Sequence, residues 1–145
     1  MRKTLLHILM HNGRLLQRAV DAQLAPLGLH HGQGHILTNI SACGEVTQAD
    51  LARRMDIRPA TVSNMLKPLE EKKLIRRRTD PNTNRAQIVS LTSAGRQACE
   101  QVPVVWNRIE TRLCKTVSTE ERNGLFQGLE NIRHTLGGKG PEEGA

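Results

Sequence analysis

Between Thr47 and Thr92 the apolar residues change their spacing from three or four to two, and that change constrains the fold more than any other feature of the chain. Leu51, Ala52 and Met55 recur at helical spacing, which predicts a short helix over 48–55. Thr47 stands at the N-cap position, with Asp50 three residues on as a weaker form of a capping-box partner. "DIRP" then reads as a tight turn, Pro59 suits a first helical position, and Val62, Met65, Leu66 and Leu69 trace one stripe on a helix running to about Lys73. Beyond it, "LIRRRT" and "RAQIVSL" have strand character on either side of the turn-forming "DPNTN", a β-hairpin with a polar tip. Two helices joined by a tight turn and followed by a hairpin make a winged helix-turn-helix.

The flanks read as helical. Leu5, Leu6, Ile8, Leu9, Leu15, Leu16, Ala19, Val20 and Leu24 mark a long helix over 3–25, broken by "APLGL". A second helix is expected over 32–42, closed by "CGEV" with Gly44 as the stop, and the glycine-punctuated "GLHHGQG" before it is expected as a loop. Helical patterning returns after Thr92. Ser118 and Glu121 form a capping box ahead of the narrow stripe Leu125, Phe126, Leu129, Ile132 and Leu136. Two prolines conflict with this pattern: Pro68 is expected to kink or shorten its helix, and Pro103 to bend or interrupt its own.

At 145 residues the chain suits a single domain. Trp106 and Phe126 are its only aromatic residues apart from histidine, so Leu, Ile, Val, Met and Ala must build the core, a composition that favours helices. The expected fold is mostly α with a small β-hairpin wing. Residues 47–91 would form the winged helix-turn-helix, flanked by helical regions over 1–46 and 92–137, and 138–145 a disordered tail. Amphipathic terminal helices in a chain this poor in aromatics are better explained by burial against a second copy than by a monomer.

Charge narrows the function. Residues 47–91 hold ten Lys/Arg against five Asp/Glu, so most of the formal +7 lies there. That is the footprint of a nucleic-acid-binding module. Arg58, Thr61, Ser63, Asn64 and Lys67 lie opposite the apolar stripe of the second helix, where they would meet base edges and phosphates in a major groove. Arg76, Arg77, Arg78 and Arg85 surround the hairpin tip, suited to a narrow, negative minor groove. One or two such arginines would be explained as charges guarding a sheet edge, but four would not. An RNA- or protein-binding winged helix is the alternative. Against single-strand recognition stands the lack of aromatic stacking residues near the basic block.

The stretch "TQADLARRMDIRPATVSNMLKPLEEKKLIRRRTDPNTNRAQIVSLTSAG" resembles the MarR family of bacterial transcription regulators, in its helix-turn-helix, its "LE..gLI.R" approach to the wing and its "DP.d.R...v.LT..G" exit. The resemblance covers nearly the whole chain. It implies that the helical regions 1–46 and 92–137 form a dimerisation region, through the first helix and the last two, and that a small-molecule effector or another signal releases the DNA. The two-fold symmetry of a homodimer on double-stranded DNA, repressing rather than activating, predicts an inverted repeat with half-sites roughly 34 Å apart. The resemblance also implies that Arg85 is the wing arginine. Two positions depart from the pattern: Thr83 stands where an aspartate usually orients that arginine, and Lys73 replaces the glycine usual before "LI".

No cofactor, enzyme or membrane signature is present. "GxxxxGK" and "HExxH" do not occur, nor does an apolar run of 18, and a cytoplasmic protein is expected. His7 and His11 share a helical face, and His30, His31 and His35 cluster at the start of the second helix; these are candidate metal ligands, but no Glu or Cys accompanies them in a ligand pattern. Surface or pocket-lining histidines are the better reading. Cys43, Cys99 and Cys114 are candidate redox sensors, with reduced, structural thiols the default.

Overall fold

The computed structural model describes residues 4–138, and the tail expected over 138–145 lies, apart from Gly138, outside the described residues. Six helices and three strands follow in order: α1 (Leu5–Leu24), a 3-10 turn (Ala25–Leu27), α2 (His31–Cys43), β1 (Glu45–Thr47), α3 (Gln48–Met55), α4 (Pro59–Glu71), β2 (Ile75–Thr79), β3 (Gln87–Leu91), α5 (Ser93–Cys114) and α6 (Thr119–Thr135). The molecule is mostly helical with a small antiparallel sheet, as its apolar spacing predicts.

The caps form where small polar residues precede the stripes. Thr47 accepts a hydrogen bond from the Asp50 backbone N–H at 3.1 Å, and Thr92 does the same for Gly95 at 3.0 Å. Ser118 and Glu121 close a reciprocal capping box on α6. The backbone hydrogen bond from Ser118 and its hydroxyl hold the Glu121 carboxyl below the usual Glu value.

Two expectations change, and both proline-bearing helices prove continuous. The wing is a three-stranded sheet in the order β1-β3-β2, because Glu45, Val46 and Thr47 pair antiparallel with Ser90, Val89 and Ile88. "GLHHGQG" is the start of α2 rather than a loop: His30 is the N-cap, and His31 to Gly34 are already helical. Neither proline ends its helix. α4 continues through Pro68 to Glu71, and α5 runs unbroken through Pro103 to Cys114. Leu66 and Leu69 are buried around Pro68, and Val102 and Val105 around Pro103, so tertiary packing offsets the lost backbone bond, which costs about 3 kcal/mol in isolation.

One core joins these elements. Leu24 of α1, Ile36, Leu37 and Ile40 of α2, Leu51 of α3, Val62, Leu66 and Leu69 of α4, Val89 of β3 and Val102 of α5 are all fully buried together. α6 contributes no buried residue, and α1 contributes only Leu24. The N-terminus of α5 lies so close to the strand leading into the wing that a Cβ at Gly95 would fall 1.8 Å from the Leu74 carbonyl oxygen. Thr92 clasps the same place, its hydroxyl donating to the Lys73 carbonyl at 2.7 Å. The "LT..G" spacing therefore seats α5 against the base of the wing.

Candidate nucleic-acid interface

α4 owes its position to α3. Asp56 caps α3 in the left-handed region at φ 51°, and the Ile57 N–H returns to the Ala52 carbonyl at 3.1 Å, turning the chain within three residues. Ala52, Val62 and Leu66 are buried and Ile57 packs against them, fixing the two helices together. With Val62, Leu66 and Leu69 turned inward, the opposite face of α4 is exposed at Thr61, Asn64 and Lys67 and half-exposed at Ser63. Arg58, the exposed N-cap of α4, offers its guanidinium at the same end as the helix's free N–H groups. The sequence-predicted set is therefore brought together on one outward face.

The four wing arginines separate into three kinds. Alternation along β2 places Arg77 on the same side as buried Ile75. There its Nε donates to Glu70 of α4 at 2.8 Å, and its Nη1 to Gln48 of α3 at 3.3 Å. Arg77 thus ties the first wing strand to both helices of the helix-turn-helix. Glu70 and Arg77 are the Glu and Arg of "LE..gLI.R", so that motif closes on itself. Arg78 donates to Glu45 of β1 at 2.9 Å, an exposed pair that exchanges readily with solvent or another anion. Arg76 and Arg85 are exposed, and among the described residues neither has a hydrogen-bond or ion-pair partner.

The tip that carries Arg85 is closed by its own backbone. The Asp80 N–H donates to the Ala86 carbonyl at 2.8 Å, and Asn84 takes the left-handed conformation at φ 53°. Thr83 accepts the Ala86 N–H at 3.2 Å, so its hydroxyl braces the turn rather than the arginine. Together the outer face of α4 and the tip present amide, hydroxyl and guanidinium donors of the kinds that suit base edges and phosphates.

The candidate sensor residues are more dispersed. His7 bonds its own N-cap Thr4, and His35 stands edge-on to Trp106 with ring centroids 6.0 Å apart. His30 and His31 do meet, and Asp21 joins them from the last turns of α1: its Oδ1 accepts from the His31 backbone N–H at 2.6 Å and lies 2.9 Å from His31 Nδ1. Burial pushes the Asp21 carboxyl up, but the hydrogen bonds from His31 and the charges of His31 and His30 outweigh it and hold it below the usual value. Burial, then the charge of His31, lowers His30 and His35. Among the cysteines, Cys99 is buried and its thiol is pushed up by that burial, while Cys43 and Cys114 are half-buried; all three are free thiols. Asp21, Glu45, Gln48 and Glu70 are the residues that sequence spacing did not reveal, since each meets its partner across a fold rather than along a helix.

Among the described residues no helix is long and apolar enough to cross a membrane. The model of the MarR family matches residues 29–86. The HTH-type transcriptional regulator YdgJ of Bacillus subtilis (strain 168) is 32% identical over 109 residues, an alignment spanning 75% of this chain and 66% of that protein. The HTH-type transcriptional repressor Rv2887 of Mycobacterium tuberculosis (strain ATCC 25618 / H37Rv) is 24% identical over 87% of this chain and 91% of its own length. Among solved structures, a DNA complex of S. aureus MepR superposes with a TM-score of 0.86 at 28% identity, covering 93% of this chain and 99% of that one. A mutant MarR from E. coli complexed with operator DNA gives a TM-score of 0.74 at 25% identity, covering 90% and 99%.

Proposed function

The chain belongs to the MarR family of transcription regulators, and from that premise we propose that it is a homodimeric repressor that binds an inverted repeat in double-stranded DNA and is released by a small ligand or other signal. The observation that carries this reading is the exposed face of α4, bearing Arg58, Thr61, Asn64 and Lys67, beside a wing whose Arg76 and Arg85 are free of partners among the described residues. Both are set on one buried core and braced by Arg77. MepR and MarR, which share this fold, have been solved on DNA.

Roles divide by chemistry. Asn64 and Arg58 pair bidentately with adenine and guanine edges, Thr61, Ser63 and Lys67 hold phosphates, and Arg85 with Arg76 enters the neighbouring minor groove. Arg78 joins them by exchanging Glu45 for phosphate, whereas Arg77 acts through the position of the wing. The dimer is supported by apolar surface that one chain leaves uncovered: Leu5 is 63% exposed, Leu125 53% and Phe126 64%. Two-fold pairing of α1, α5 and α6 covers these stripes and sets two α4 helices one helical turn of DNA apart, roughly 34 Å.

Asn64→Ala and Arg85→Ala test the division. On a bound sequence and its single-base variants, Asn64→Ala is expected to flatten base preference at one position, worth about 1–3 kcal/mol. Arg85→Ala is expected to weaken every variant alike and lower the salt slope by about one. Equal loss across all sequences in both variants contradicts the assignment of Asn64 to base reading.

A further inference from the structure

We propose that Asp21, His30 and His31 bind a divalent transition-metal ion at the junction of α1 and α2, and that the bound ion acts on α4. The three side chains each offer one ligand atom, and these lie within 4.8 Å of one another. They are ten residues apart at most, yet they meet only because the 3-10 turn folds the chain back, placing His30 at the N-cap of α2 and His31 at its first position against Asp21 of α1. The hydrogen bonds from the His31 backbone and ring to Asp21 fix that carboxylate, so most of the arrangement is built in advance.

Two imidazoles and a carboxylate are a borderline donor set, suited to Zn²⁺ and its neighbours. Bonds of about 2.0–2.2 Å to a tetrahedral ion place its ligands roughly 3.4 Å apart. The widest spacing must therefore close by up to about 1.4 Å, a movement available to the exposed His30 ring. Three protein ligands leave the fourth vertex to water. With one protein ligand fewer than a closed structural zinc, the site suits reversible binding. His7, His11 and His35 stand outside the cluster.

The junction touches α4 on both sides of the site. Gly28, two residues before His30, accepts a hydrogen bond from the Lys72 ammonium, and Lys72 is the C-cap of α4. At Gly32, one residue past His31, a Cβ would stand 3.0 Å from Met65 Sδ on α4. His30 Nδ1 also accepts the Gln33 N–H at 3.4 Å, the bond that caps α2. Ligation through that nitrogen exchanges the cap for the metal, and a cation beside the loop repels Lys72, so occupancy shifts the start of α2 and the end of α4 together. This regulatory half rests on the reading of α4 as the DNA-recognition helix, and the metal site does not.

Chelator-treated full-length protein titrated with Co²⁺, in the absence of DNA, tests the site. Expected is the visible absorption of tetrahedral Co²⁺ saturating at one equivalent per chain and bleached by Zn²⁺. Asp21→Asn is expected to lose affinity about tenfold or more. Because that change also removes a tie between α1 and α2, His30→Gln is the second variant: it keeps the Asp21–His31 bonds and must lose affinity to the same degree. His7→Ala must not. Absence of the spectrum, or wild-type affinity in His30→Gln, overturns the site. Zn²⁺ is then expected to change DNA affinity by about fivefold or more in the wild type and not in His30→Gln. Metal binding with unchanged DNA affinity overturns the regulatory half alone. Failure to bind DNA under any metal condition overturns that half along with the regulator reading, while the cobalt spectrum still decides the site.

Discussion

At the scale of single residues, the positions that break the family pattern explain themselves once the backbone is seen. Lys73 sits at φ 57°, with its N–H on the Glu70 carbonyl at 2.8 Å and the next N–H, of Leu74, on the Leu69 carbonyl at 2.9 Å. This is the left-handed close of α4, where a glycine avoids the Cβ crowding that costs about 1–2 kcal/mol. Lys73→Gly is therefore expected to stabilise the fold by about 0.5–1 kcal/mol, after the larger entropy of an unfolded glycine is subtracted. A melt at fixed protein concentration checks it: a rise of about 1–4 °C agrees, and a fall shows that Lys73 carries a compensating contact. The departure at Thr83 was legible in the sequence, but its consequence was not. Only the turn shows the hydroxyl committed to Ala86, which leaves Arg85 without a bracing partner among the described residues.

At the scale of elements, legibility followed length and period. α3 and the first residue of α4 were read directly, because Thr47 and Pro59 announce the two starts and the apolar stripe supplies enough repeats to fix a face. β1 was not, since three residues carry no period and Gly44 reads only as the end of a helix. The arginine run was legible as charge and illegible as function, because strand alternation and the positions of Glu70, Gln48 and Glu45 decide which guanidinium is free. That division predicts distinct outcomes along β2. Arg77→Met is expected to cost about 1 kcal/mol of stability, from an unpaired Glu70 that is still partly solvated. It should also weaken DNA binding about tenfold by loosening the wing, with substantial rescue in Arg77→Lys. Arg76→Met is expected to leave the melt unchanged and lower the salt slope. Binding by Arg77→Met at wild-type strength, measured on the same DNA, contradicts its role as a strut.

At the scale of the whole molecule, the helices that frame the core leave their apolar faces open. α6 has no buried residue within its own chain, and Leu5, Leu6, Ile8, Met10, Leu15 and Leu16 of α1 remain exposed. The predicted state is a dimer of twice the 16.1 kDa chain by light scattering. Phe126→Glu combined with Leu129→Glu is expected to yield a monomer of unchanged helical content, because neither side chain belongs to the core. A wild-type monomer at micromolar concentration contradicts the dimer. In the proposed dimer, two α4 helices on one face of a duplex would multiply their discrimination, turning one weak reader into a specific one. The measurement that tests the central claim most directly is selection of the purified full-length protein on a random double-stranded DNA library at a fixed salt concentration. An enriched inverted repeat with half-sites about one helical turn apart is the predicted result. Salt-sensitive binding that enriches no sequence, or equal recovery of an RNA library, contradicts the sequence-specific regulator.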